Sequence, residues 1–158
     1  MSISFNDHVA QALTGGNIAE VKGRLYDCLS QADLKRLHET LGALFASIAH
    51  TNYTRNRISV YEGYYASVVY AFFAGLGLDL TAEDVTSTGR MDLSVGTDKN
   101  IYLFEFKVDG GGGALPQIKD RQYHLKYRDR GKDIYLVGID FDSAQRNIAG
   151  FEWEQVRS

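Results

Sequence analysis

The sequence predicts a mixed α/β domain built around one sheet. Three observations carry that expectation. The first half places apolar residues at helical spacing. The second half reads as short strands. Within it, Ile134–Phe141 is an unbroken apolar run bounded by charge, as in a strand buried on both faces.

Length and composition bound the problem first. A chain of 158 residues, 44% of them hydrophobic, suits one domain with a real core. The expected organisation is a single domain over 1–158, with a helical part over 1–56 and the core over 57–158. A formal net charge of −3 excludes binding of nucleic acid through overall basic charge, so any such site must be local. The lone Cys28 forms no intramolecular disulfide and reads as a small buried helical residue. A reducing, cytoplasmic setting fits. Ser2–Gln11 is mostly polar, so no secretory signal is expected. No apolar run approaches the roughly 20 residues that cross a bilayer.

The helices come first. Ile18, Val21, Leu25 and Leu29 form one stripe over 17–29, with Asn17 and Glu20 as a capping box. Ser30 is expected to start a second helix through Leu34, Leu37, Leu41, Leu44, Phe45 and Ile48. A polar loop over 51–57 follows. A third helix, from about Val60 to Ala74, is ended by Gly75 and Gly77. Its Tyr64, Tyr65, Val68, Val69, Phe72 and Phe73 are apolar on more than one face, so it should be central and buried.

The strands follow over 80–86, 90–95, 101–108, 134–141 and 150–156. Gly110–Gly113 interrupts them. Pro116 then occupies the first turn of a helix running to about Tyr127.

Chemistry concentrates on the third of these strands. In Ile101-Tyr-Leu-Phe-Glu-Phe-Lys-Val108, Ile101, Leu103, Glu105 and Lys107 share a face. Both faces begin apolar, yet two charges stand together at the end. Burying a charge costs several kcal/mol, in order of magnitude, unless it is compensated. Taken alone, the pair reads equally well as Glu and Lys emerging into solvent.

The preceding strand shifts the balance away from a plain surface pair, which stays as a competing reading. A four-residue loop, Thr97–Asn100, would pair Gly96 with Ile101. Counting back, Asp92 then faces Glu105, and Arg90 faces Lys107. An odd loop would put the two carboxylates on opposite faces. Facing carboxylates are poor for stability and well suited to a hard divalent cation. A neighbouring lysine can position a water or neutralise developing charge.

These residues resemble the PD-(D/E)XK nuclease superfamily: Gly-Arg-Met-Asp92-Leu, a hairpin, then Phe-Glu105-Phe-Lys107. Tyr61-Glu62-Gly-Tyr-Tyr65 before the site, Gln117-Ile-Lys119 to Tyr123 after it, and Lys132 to Phe141 narrow the likeness. Together they are similar to the family found C-terminal to an AAA-ATPase-like domain in bacterial proteins. Met91 stands where the motif has proline. The resemblance implies a restriction-endonuclease-like core of helix, three-strand meander, helix and strand, preceded by extra N-terminal helices. It implies Mg²⁺ or Mn²⁺ held by Asp92, Glu105 and the Phe106 carbonyl, with Glu62 as a further helical carboxylate. Lys107 would position the attacking water, and Gln117 would complete the catalytic set.

The stretch Gln117–Lys132 holds six cationic residues against Asp120 and Asp129. Lys119, Arg121, Tyr123, Lys126 and Arg128 are the candidate contacts to a phosphate backbone; a solvated helix face is the competing reading. The expected partners are nucleic acid, with DNA first, an AAA-ATPase-like domain in the full-length protein, and a second copy of the chain; no membrane is expected. The competing function is a catalytically silent nuclease-like module with a binding or regulatory role. The glycines are not a phosphate loop, because no Gly-Lys-Ser/Thr follows. His8, His38, His50 and His124 have no zinc spacing.

Overall fold

Helix α1 spans Ile18–Gln31 and buries the stripe of Leu25, Cys28 and Leu29. The computed structural model describes residues 18–51, 62–85, 90–110, 113–120 and 130–156, with the backbone alone at 18, 49–51, 62–64, 83–85, 90–92, 117 and 120. The expected cap at Asn17, the loop over 52–57 and most of the basic stretch lie outside these residues. Helix α2 spans Leu34–Thr51, so it begins at Leu34 and not at Ser30. The reason is local. Ser30 still belongs to α1, and Ala32 breaks the helix with a left-handed φ of 53°. Asp33 then caps α2, its Oδ1 accepting from the Arg36 amide at 3.1 Å.

Helix α3 spans Glu62–Phe73. Tyr65, Ala66, Val68, Val69, Ala71, Phe72 and Phe73 are all buried, as expected of a helix apolar on several faces.

The five strands are β1 Asp79–Val85, β2 Arg90–Gly96, β3 Asn100–Val108, β4 Asp133–Asp142 and β5 Asn147–Val156. They form one sheet in sequential order. Among the described strands only β3 and β4 are parallel, and their connection contains α4, Ala114–Asp120. Pro116 lies in the first turn of α4, where its missing N–H costs no helical bond. The expected continuation to Tyr127 lies outside the described residues. This mixed sheet with helices on both faces is the restriction-endonuclease-like arrangement.

Alternation along β3 and β4 builds two cores. Tyr102, Phe104, Phe106, Tyr135, Val137, Ile139 and Phe141 meet α1–α3 in the larger one. Ile101, Leu103, Ile134 and Leu136 meet Ile118 of α4 in the smaller one. Tyr65 of α3 stacks on Phe141 with ring centroids 4.2 Å apart, and Phe73 lies against Phe104 at 5.7 Å. Helix α3 therefore presents its N-terminus to the C-terminal ends of β3 and β4. On the other face, α4 rests directly on Gly138. A Cβ there would lie 2.3 Å from the Leu115 amide nitrogen, so glycine is required by space.

Candidate active site

The β2–β3 hairpin sets the geometry. Thr97 donates its amide to the Asn100 carbonyl at 2.8 Å. The Asn100 amide donates to Thr97 Oγ1 at 2.9 Å. Lys132 Nζ donates to the Thr97 carbonyl at 2.6 Å, tying the turn to the start of β4. With the turn so fixed, Gly96 pairs with Ile101 and Asp92 pairs with Glu105. The even register expected from the sequence is the one observed.

The expected facing of Arg90 and Lys107 is not observed. The β2–β3 ladder ends at Asp92 and Glu105; Arg90 pairs with Val85, and Lys107 pairs with Asp140. Two cations directly opposite each other would repel, and the ladder stops two positions short of bringing them together; the pairs with Val85 and Asp140 lie on the other edges of β2 and β3.

Leu93 and Val95 enter the larger core, so Asp92 occupies the opposite face, the one that carries Glu105, Lys107 and α4. Glu105 is 0% exposed. A register pair on antiparallel strands has Cα atoms about 4.5–5.5 Å apart. A fully buried carboxylate therefore stands beside a second acidic position, both offering hard oxygen donors. This donor chemistry fits a divalent cation such as Mg²⁺. Among the described side chains, no three His, Cys, Asp or Glu residues converge on a metal-sized site; the side chains of Asp92 and Glu62 lie outside that set. Phe106 is wholly within the larger core and can serve the site only through its backbone carbonyl. The ladder between β2 and β3 stops just before it.

The other candidates are placed by their elements. Glu62 begins α3, at the C-terminal ends of β3 and β4. Gln117 lies on α4, on the Glu105 face. Lys119 makes an ion pair with Glu154 of β5 at 2.7 Å, both about half exposed. Arg121, Tyr123, Lys126 and Arg128 lie outside the described residues.

Two residues that local sequence reading missed sit beside this set. Glu83 is the β1 partner of Asp92, so three acidic positions lie in one row across β1, β2 and β3. Asp140 is the β4 partner of Lys107 and only 5% exposed. A cleft of about 430 Å³ opens beside it, lined by Asp109, Gly110, Asp142, Gly150 and Glu152 among others. The β4–β5 register shifts at Asp140 and Phe141, and such bulges recur next to active sites. Neither residue has a local signature; only the strand register brings them here.

Comparison with known proteins identifies the family. Residues 60–151 match the model of the PD-(D/E)XK nuclease superfamily. The chain is also 48% identical over 137 residues to an uncharacterised protein in the vnfD 5′ region of Azotobacter chroococcum mcd 1. That match covers 85% of this chain and 27% of the relative, so the chain spans about a quarter of the relative's length. No described helix is long and apolar enough to cross a membrane. With the family match spanning more than half of its residues, this chain belongs to the PD-(D/E)XK nuclease superfamily.

Proposed function

We propose that the domain is a divalent-metal-dependent nuclease that hydrolyses phosphodiester bonds in DNA. The observation that supports this most directly is the register pairing of Asp92 with the wholly buried Glu105, with Lys107 two residues further along the same face. Asp92, Glu105, the Phe106 carbonyl and Glu62 would hold Mg²⁺ or Mn²⁺. Bound there, the ion would supply Lewis-acid polarisation of the phosphate and a more acidic water.

The side chains do the rest. Lys107 donates from its amine to the attacking water and to the oxygens on which negative charge develops. Gln117 supplies a neutral polar group on the helix above the same face. The cationic stretch with Lys119, Arg121, Tyr123, Lys126 and Arg128 follows the phosphate backbone. The Lys119–Glu154 pair does not oppose that role, since exposed pairs are worth about 0–1 kcal/mol and exchange readily. A relative far longer than this chain supports the reading of the nuclease as one domain of a larger protein, the AAA-ATPase-like architecture that its resemblance implies.

Supercoiled plasmid incubated with the domain and Mg²⁺, Mn²⁺ or EDTA tests this. The wild type should nick or linearise DNA only with metal, and the Asp92→Ala and Lys107→Ala variants should not. Equal cleavage by all three proteins, or cleavage in EDTA, would sink the assignment. A wild type that binds Mn²⁺ by calorimetry yet leaves DNA intact would favour a catalytically silent module.

A further inference from the structure

Two glycines after β3, Gly110 and Gly113, sit against the side chain of Lys107. A Cβ on Gly110 would lie 3.0 Å from Lys107 Cδ, 3.1 Å from Lys107 Cβ and 3.4 Å from Asp140 Oδ1. A Cβ on Gly113 would lie 3.4 Å from Lys107 Nζ and 3.6 Å from Lys107 Cδ. Neither glycine has a left-handed φ; that conformation is confined to Gly77 and Gly131 among the described glycines. Backbone conformation therefore accounts for glycine at neither position; space beside the lysine is tight at 110, whereas at 113 a Cβ would make ordinary contact with the amine. The two differ in kind. Gly110 walls the rigid base of the lysine, and Gly113 walls its amine.

The run also leads somewhere. Gly113 immediately precedes α4, whose Ala114 and Leu115 rest on Gly138. Gly138 is the register partner of Glu105. The lysine amine thus ends beside the residue that leads into α4, on the sheet face that carries Glu105.

We propose that Gly110 is a positioning residue: its bare backbone forms the wall that aims the Lys107 amine at the reacting phosphate, and Gly113 borders that amine. The proposal rests on the catalytic reading of Lys107 given above. A methyl at position 110 crowds both Lys107 Cδ and Lys107 Cβ, so the lysine stem must give by a few tenths of an ångström, and the amine it carries shifts with it. A displacement of about 1 Å in a catalytic group can cost about a hundredfold in rate, so a shift of a fraction of that should cost about tenfold.

The test uses the Gly110→Ala and Gly113→Ala variants, alone and combined with Lys107→Ala, and Gly42→Ala as a control where nothing lies within 4 Å of the added methyl. The expected result is a kcat at least tenfold lower for Gly110→Ala, with KM within twofold and an unchanged or higher Tm. Alanine at an unstrained glycine stabilises through the unfolded chain, so lost activity without lost stability separates aiming from folding. In the Lys107→Ala background, Gly110→Ala should change nothing further. An equal fractional loss with and without Lys107, or no loss at all, overturns the proposal.

A second readout needs no catalysis. Acylation of Lys107 by an amine-reactive reagent, followed by peptide mass spectrometry, should change at least threefold in Gly110→Ala relative to wild type, with Lys99 unchanged. An unchanged Lys107 rate overturns the wall. A changed rate in a protein whose wild type fails to cleave DNA would uphold the wall and refute the nuclease reading.

Discussion

Substituting Gly138 by alanine tests how α4 is seated. The new methyl would lie 2.3 Å from the Leu115 nitrogen, 2.7 Å from its Cα and 2.8 Å from the Ala114 carbonyl carbon. These are main-chain atoms, and no rotamer change moves them away. Helix α4 must lift from β4 by roughly an ångström to restore van der Waals contact. Lifting it loosens Ile118 from Leu103 and Leu136, its neighbours in the smaller core. Overpacking of this kind costs about 1–3 kcal/mol, and a main-chain clash belongs at the upper end. For a domain of this size, roughly 3 kcal/mol corresponds to a fall in Tm of about 6–12 °C. Urea denaturation followed by circular dichroism should show a lower midpoint at unchanged slope. Amide exchange should accelerate in α4 first, before β3 or β4. A variant melting within 2 °C of wild type, roughly 1 kcal/mol or less, would refute the direct seating of helix on strand.

Other perturbations bear on the same framework. Glu105→Gln removes one of two facing carboxylates, so it should raise Tm without metal while abolishing cleavage. Mg²⁺ should raise the wild-type Tm and leave this variant's unchanged; a lower metal-free Tm for Glu105→Gln would contradict the facing arrangement. Tyr102 donates its hydroxyl to the Leu29 carbonyl at 2.6 Å, so Tyr102→Phe should destabilise by about 1–3 kcal/mol, read by urea titration. Burial, with the neighbouring Tyr135 phenol second, holds the Tyr102 phenol above its ordinary pKa of 10.0. The unfolded chain then loses this proton first, so stability is full below pH 10 and falls as pH rises above it. Tyr102→Phe should flatten that alkaline decline without removing it, because burial raises Tyr135 as well. Gly23 lies exposed within α1, with nothing within 4 Å of an added methyl. Gly23→Ala should stabilise by about 0.5–1 kcal/mol, seen as a higher Tm with unchanged cleavage.

What the sequence revealed depended on how locally each feature is determined. The facing of Asp92 and Glu105 follows from parity across one short hairpin, and Thr97, Asn100 and Lys132 hold that hairpin with side-chain bonds of their own. Counting residues was therefore enough. Arg90 and Lys107 lie just past the end of the same ladder, where a count continues but the strands no longer pair. The places of Glu83 and Asp140 depend on strands that join β2 and β3 from outside, and parallel pairing with β4 has no turn from which to count. The start of α2 turned on which of two polar residues, Ser30 or Asp33, caps the helix. That was settled by a left-handed Ala32, a residue type that gives no warning of such a conformation. The glycines after β3 read as a chain break beside the site, because the closeness of Gly110 to Lys107 is a side-chain contact that no local pattern encodes.

The larger core has a consequence for where this domain can be cut. Leu25, Leu29, Leu37, Leu41 and Phe45, on the two helices that precede the family-matched segment, are buried against the same aromatic layer as Phe104, Phe106 and Phe141. Each such side chain contributes about 1.5–3 kcal/mol by leaving water, against a net stability of about 5–15 kcal/mol for a typical domain. Isolating residues 60–151 would strip a greasy lining from the sheet face opposite Glu105. The segment that matches the family is thus smaller than the hydrophobic unit it shares, and a working boundary for transplanting it lies before α1.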